Sequence, residues 1–231
     1  MNGNNHESQS KPVVSVIDDD VSVRESLELL IHCAGWRAET FASAQEFLCH
    51  PSVLTPHCLV LDVTLPDISG LELQERISLN STHTPIIFIT AYDDVATTVK
   101  AMKAGAVEFL TKPFSDETLL NAIQYAIDRS RALLSCAAEM AWLRKRHASL
   151  TRREREVMAL VVSGRLNKQV ANELGISEIT VKAHRCRVMH KMNAESFADL
   201  VRMVTRLNVV IDRNRSTRWL SYRPAGAGLT I

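Results

Sequence analysis

The sequence predicts an α/β domain followed by an all-α one: a (βα)5 doubly wound parallel sheet, a long helical linker, then a four-helix unit built round a helix–turn–helix. Three observations carry this. Between Val13 and Pro113, short apolar runs alternate with segments of helical period, with turn residues between them. From Ser115 to Arg153 there is neither Gly nor Pro. The charge also reverses along the chain: residues 1–130 carry 8 Lys+Arg against 18 Asp+Glu, residues 131–231 carry 19 against 8. An acidic half followed by a basic half points to a second domain that meets nucleic acid.

Residues 1–12 read as a disordered tail. Val13–Ile17 is the first strand and runs into the triplet Asp18-Asp19-Asp20. Ser22 and Glu25 have capping-box spacing, and the helix they open ends at Gly35. Trp36 to Phe41 is a second strand, and Ser43 with Glu46 opens a short helix. Cys58 to Leu61 is a continuous apolar run, the pattern of a strand buried on both faces. It ends in Asp62, with turn residues Pro66 and Gly70 beyond and a helix from about Ser69 to Leu79. The run IIFIT ending at Thr90 is the fourth strand, Asp94 to Ala104 a helix stopped by Gly105, and Val107 to Leu110 the fifth strand, before Lys112-Pro113.

The next helix begins near Asp116. If helical to His147 it is roughly 48 Å long at ~1.5 Å per residue. A helical linker is preferred to a loose joint, because a flexible one would carry Gly, Ser or Pro. This gives a first domain at 13–130, a linker at 131–149 and a second domain at 150–207. In the second domain Thr151, Asn167, Ser177 and Ser196 are the expected caps of successive helices, and Gly175 sits at the tight turn between the second and third. The tail 208–231 carries Arg213, Arg215, Arg218 and Arg223 beside Val209, Val210, Ile211 and Trp219. Disorder, nucleic-acid contact and packing all fit it.

Five cysteines (Cys33, Cys49, Cys58, Cys136, Cys186) form no metal-ligand spacing and fit free thiols in a reducing cytoplasm. The polar start MNGNNHESQSK lacks the apolar core of a signal peptide, and no run approaches the ~20 apolar residues of a membrane span.

In a doubly wound sheet the C-terminal strand ends share one edge, where such folds bind ligands. That edge would gather Asp18, Asp19, Asp62, Thr90 and Lys112. Clustered carboxylates repel one another unless a cation neutralises them, and all-oxygen ligands suit Mg2+. A hydroxyl and an ammonium beside them supply what a carboxylate needs to accept a phosphoryl group. Singly, each residue has a bland reading: the triplet as a solvated turn, Asp62 as a strand end, Thr90 as structural. Their order at successive strand ends is what carries weight.

Residues 13–130 resemble the receiver domain of two-component response regulators. VVSVIDDD is similar to its acidic-pair motif, LVLDVTLPDISGLEL to its phospho-acceptor motif, IIFITAY to its switch-hydroxyl motif and FLTKPF to its lysine motif. Leu65 departs from the usual Met before Pro66 without touching the chemistry. The resemblance implies Asp62 as phospho-acceptor, and Asp19, Asp62 and the backbone carbonyl of Thr64 as Mg2+ ligands with Asp18 acting through water. Thr90 and Lys112 would hold phosphoryl oxygens, and Phe109 would be the switch aromatic. It also implies that the face formed by the fourth helix and fifth strand pairs two receivers.

The third helix of the basic unit carries Lys182, Arg185, Arg187 and Lys191. Val181, Val188 and Met192 form its core stripe, and Lys182, Arg185, Cys186 and Met189 the side expected in a major groove. Thr180 joins them at the helix start, and Lys168 with Arg187 would hold phosphates. The bland reading is an interaction module with a solvated basic face. LTRREREVMALVVSGRLNKQVANELGISEITVKAHRCRVMHKM resembles the LuxR-type helix–turn–helix of NarL/FixJ regulators. Together the resemblances imply a transcription factor switched by a sensor histidine kinase, which pairs with itself on phosphorylation, binds double-stranded promoter DNA and engages RNA polymerase. It would be no enzyme beyond self-phosphotransfer and autodephosphorylation. Two alternatives are an aspartyl-phosphate phosphatase, which would place a second acid where Thr64 stands, and a DNA-binding protein indifferent to phosphorylation.

Overall fold

Strands without polar alternation must be covered on both faces, and the first part of the chain meets that demand with a fully parallel sheet. The computed structural model describes residues 11–50, 56–79, 84–91 and 94–207. The readings offered for residues 1–10 and 208–231 lie outside them. The chain divides into two units, Met1–Ser135 and Cys136–Ile231.

In the first unit β1 (Val13–Ile17), β2 (Arg37–Phe41), β3 (Cys58–Asp62), β4 (Ile86–Thr90) and β5 (Glu108–Thr111) stand in the order β2-β1-β3-β4-β5. The helices between them are α1 (Val21–Cys33), α2 (Ala44–Cys49), α3 (Gly70–Leu79) and α4 (Val95–Lys103). After β5 comes α5 (Asp116–Ala148), a single helix of 33 residues, which the absence of Gly and Pro permits. Alternate strand residues separate into two cores. Val14, Val16, Cys58, Val60, Ile87 and Ile89 pack with Leu27 and Ile31 of α1 and Leu119, Ile123 and Ile127 of α5. Ile17, Leu59, Leu61 and Phe88 pack with Phe47 of α2, Leu73 and Ile77 of α3 and Ala101 of α4.

Register does the positioning. Ile17 pairs with Leu61, so Asp18 and Asp62 are the next residues along adjacent strands. Asp62 pairs with Ile89, and Thr90 with Thr111, which puts Lys112 one step past Thr90.

Two expected caps differ. Asp20, not Ser22, caps α1: its carboxylate accepts from the Ser22 amide at 2.8 Å, because the helix starts at Val21 and the triplet's last acid already occupies the cap position. Ser43 caps α2 as expected, accepting from the Glu46 amide.

In the second unit, the last turns of α5 are followed by α6 (Arg152–Val162), α7 (Asn167–Leu174), α8 (Glu178–Met192) and α9 (Phe197–Arg206). Thr151 and Glu154 form a reciprocal capping box, while Ser177 and Ser196 accept from the amides of Thr180 and Asp199. Asn167 does not cap α7. It is the helix's first residue; the Leu166 amide donates to Gln169 Oε1 at 2.9 Å instead. Gly175 closes α7 at φ 64°, in the left-handed region a side chain resists. Val181, Val188 and Met192 are all buried, as their spacing predicts. No helix among the described residues is long and apolar enough to cross a membrane.

Candidate functional site

At the C-terminal edge of the sheet, Asp18, Asp19 and Asp62 each present a carboxylate oxygen within 4.8 Å of the others. Asp18 and Asp62 are buried and Asp19 is exposed. Lys112 Nζ lies among them, donating to Asp18 Oδ2 at 2.7 Å and to Asp62 Oδ2 at 2.9 Å. The remaining oxygens are held by backbone: the Asp20 amide donates to Asp18 Oδ1 at 2.9 Å and the Thr64 amide to Asp62 Oδ1 at 2.8 Å. Burial pushes the Asp18 carboxyl above the usual range, against the hydrogen bonds from Lys112 and the Asp20 amide. For Lys112 burial works downward, but the bonds to Asp18 and Asp62 outweigh it and raise the ammonium's pKa.

Thr90 ends β4, buried, and its carbonyl accepts from the Lys112 amide at 2.7 Å. The Lys112–Pro113 peptide is cis. Phe109 is half-buried on β5, its ring tilted against Phe88 with centroids 6.1 Å apart. Thus Asp18, Asp19, Asp62 and Lys112 meet, with Thr90 at the adjoining strand end. The donor set is all oxygen, from carboxylates with one face open to solvent, and it fits a hard divalent cation such as Mg2+.

On α8 of the second unit, Lys182, Cys186 and Arg187 are exposed, and Lys168 is exposed on α7. Thr180 is half-buried, its hydroxyl 2.8 Å from that of Ser177. Two residues expected on the groove side have partners within the unit. Met189 packs, partly buried, on the cluster of Leu150, Met158, Val188 and Met192. Arg185, half-buried, donates to Asn167 Oδ1 at 2.6 Å and stacks over the Phe197 ring, 5.4 Å from its centroid. Lys191 is likewise engaged, its Nζ 2.7 Å from the buried Glu154. The outer face of α8 therefore also presents Ile179, Ala183 and His190, none of which the pattern of charges singled out.

Comparison with known proteins accounts for both units. Residues 14–124 match the response regulator receiver domain, and residues 148–204 the luxR family of bacterial regulatory proteins. Nodulation protein W of Bradyrhizobium diazoefficiens is 44% identical over 94% of this chain and 95% of its own. The transcriptional regulatory protein FixJ of the same organism is 39% identical over 88% of this chain and 99% of its own. Among solved structures, response regulator StyR is 46% identical with a TM-score of 0.80, over 85% of this chain and all (100%) of its own. The chain belongs to the response regulators of the FixJ type. It is a phosphorylation-regulated transcription factor, a receiver joined to a LuxR-type DNA-binding domain, and not a classical enzyme.

Three receiver residues that the strand-end pattern did not single out shape the pocket. Arg24 Nη1 donates to the backbone carbonyls of Asp18 and Asp19 at 2.7 and 2.9 Å. Gly70 lies so close to β3 that an added Cβ would stand 2.4 Å from the Asp62 carbonyl oxygen and 3.1 Å from Phe88. Asp67 accepts from the amides of Ala44 and Gln45 at 3.3 and 2.7 Å, tying the loop after Asp62 to the start of α2. Asp67 and Gly70 fall within the stretch similar to the phospho-acceptor motif, but none of the three contacts has a periodicity that would reveal it. Gly70 alone was visible in the sequence, as a turn residue.

Proposed function

We propose that Asp62 is the phospho-acceptor and that a sensor histidine kinase is the donor. Asp62 Oδ attacks phosphorus, the P–N bond to the kinase imidazole breaks as the P–O bond forms, and the imidazole leaves with its electron pair and takes up a proton. The observation that carries this is Lys112 Nζ reaching both Asp18 and Asp62, within 3 Å of each. A cation already sits where a transferring oxygen would develop charge. Asp19, Asp62 and the Thr64 carbonyl would hold Mg2+, with Asp18 acting through water; the ion would neutralise the phosphoryl oxygens. Thr90 and Lys112 would bind those oxygens, and Phe109 would turn inward behind Thr90. The same pocket would support self-phosphorylation from small phosphodonors and autodephosphorylation.

The switch biases an equilibrium that already exists. Along α4, Val95, Val99 and Met102 are 73, 45 and 44% exposed, an apolar stripe that supports pairing of two phosphorylated receivers through the α4–β5 face. The paired second domains would then bind half-sites of promoter DNA through Lys182 and Cys186, with Thr180 at the helix start and Lys168 and Arg187 on phosphates, and engage RNA polymerase. Residues 13–130, 131–149 and 150–207 serve as receiver, helical linker and DNA-binding domain. The five free cysteines support a cytoplasmic setting.

The test is intact-mass labelling of the full chain by acetyl phosphate with Mg2+. Wild type gains one phosphoryl group and Asp62→Asn gains none. Equal labelling of the two proteins rules the assignment out.

A further inference from the structure

We infer that Arg24 is a positioning residue for the divalent cation, holding the backbone from which the two β1 acids project; this rests on the metal role proposed for Asp18, Asp19 and Asp62. Three acids in succession, Asp18, Asp19 and Asp20, follow β1 directly, and their mutual repulsion favours a splayed turn. The structure holds that turn tightly. One guanidinium nitrogen of Arg24, from the first turn of α1, donates to both the Asp18 and Asp19 carbonyls at 2.7 and 2.9 Å. These charge-assisted bonds fix two successive peptide planes. With the planes fixed, Asp18 and Asp19 direct their carboxylates toward Asp62, their oxygens within 4.8 Å of one another and close enough to share a cation.

The rest of the turn closes on the same point. Asp20 spends its carboxylate on the Ser22 amide as the cap of α1, and its own amide on Asp18 Oδ1. The Arg24 amide in turn donates to the Asp20 carbonyl at 3.1 Å. Arg24 is thus bound to all three members of the triplet through their carbonyls, and the Asp18 and Asp19 carboxylates face Asp62. Its positive charge offsets part of the triplet's mutual repulsion. Without it the turn loosens, and a cation must reorder the turn as it binds. The defect is therefore one of cation affinity, not of the phosphoryl-transfer step.

The experiment is calorimetric titration of the full chain with MgCl2, alongside acetyl phosphate labelling rates measured across Mg2+ concentration. Arg24→Ala is expected to weaken Mg2+ binding roughly tenfold, the scale on which supports of metal ligands act. Its labelling rate at saturating Mg2+ should remain within about twofold of wild type, so that excess cation rescues it. Arg24→Gln, which keeps one amide donor and is the variant to use should Ala unfold the domain, should fall between the two. Unchanged Mg2+ affinity in a folded Arg24→Ala or Arg24→Gln protein overturns the inference, as does a labelling defect that saturating Mg2+ leaves in place. Absence of Mg2+ binding by wild type itself would instead remove the metal role on which the inference rests.

Discussion

Lys112 is bonded to Asp18 and Asp62 at once, its ammonium 2.7 Å from one carboxylate and 2.9 Å from the other. One positive charge so placed cannot neutralise two acids and the neighbouring Asp19. Burial still holds the Asp18 carboxyl above its ordinary 3.8. The pocket is thus kept at a stability cost for the sake of its charge. By linkage, a group whose folded pKa is raised contributes stability that is present below its unfolded value and lost as pH rises through the folded value. Asp18 therefore contributes less to the receiver's stability as pH rises from about 4. Asp18→Asn is expected to raise the receiver's melting temperature at pH 7 by roughly 4 °C, the shift that ~1 kcal/mol gives in a domain of little over 100 residues. The gain should shrink as pH falls toward 4, and Mg2+ should stabilise wild type more than the variant. Calorimetry at two pH values with and without MgCl2 measures all three; a variant less stable than wild type at pH 7 would mean that the Lys112 pairing outweighs desolvation.

Gly70 predicts a more local effect. Its Cα approaches β3 where a methyl group would collide with the Asp62 carbonyl at 2.4 Å, and neither backbone nor Phe88 can yield cheaply. The Gly70 amide also donates to the Val63 carbonyl at 2.9 Å, so α3 cannot simply withdraw. Gly70→Ala should cost about 1–3 kcal/mol, in the range of overpacked interiors. It should also slow acetyl phosphate labelling of Asp62 under conditions where the domain remains folded. Denaturant melts paired with labelling rates separate the two effects. Unaltered values in both would mean that α3 shifts freely.

The contrast between Asp62 and Gly70 shows what the sequence could and could not reveal. The alternation of strands with helices and the acidic edge were legible because they rest on periodicity and on position at strand ends, both local properties. Asp18 and Asp62 fall side by side because Ile17 pairs with Leu61, a register that buried runs of equal length enforce. The contacts of Arg24 and Asp67 run from a side chain to another segment's backbone, which leaves no pattern in the sequence. On α8 the core stripe was legible from spacing, yet Arg185 and Met189 were assigned outward by charge and by helical phase alone. What turns Arg185 inward is an acceptor on α7 and a ring on α9, partners that only the assembled unit supplies.

Glu154 ties the second unit together in a way that pH can test. It is 2% exposed; burial pushes its carboxyl upward, but Lys191, the Thr151 amide and the Thr151 hydroxyl together hold it below the usual 4.5. A depressed folded pKa contributes stability that is present above the unfolded value and lost as pH falls through the folded one. The DNA-binding unit should therefore lose stability below about pH 4.5. Glu154→Gln should lower stability at pH 7 by roughly 1–3 kcal/mol, the cost of leaving a buried partner unpaired, and flatten the acid dependence. Far-UV melts of the two full-length proteins between pH 3 and 7 would show converging curves; parallel curves would assign the acid sensitivity elsewhere.

Lys182 and Arg185 stand three residues apart on α8, yet the structure gives them different work. Lys182 is exposed on the outer face, while Arg185 is held by Asn167 and Phe197. If Lys182 meets DNA, Lys182→Ala should leave the melting temperature unchanged and weaken promoter binding. Were its contact a phosphate, the salt slope of log K would fall by about 1; were it a base edge, binding would relax at one position at a cost of about 1–3 kcal/mol. Arg185→Ala should instead destabilise the unit, because it removes a bond between α7 and α8 and the cation over an α9 ring at one stroke. Its loss of DNA affinity should follow the loss of folded protein and be recovered on cooling, with the salt slope unaltered. A salt-slope change in Arg185→Ala without any change in stability would return Arg185 to the groove, and would mean that its bond to Asn167 is exchanged for DNA on binding.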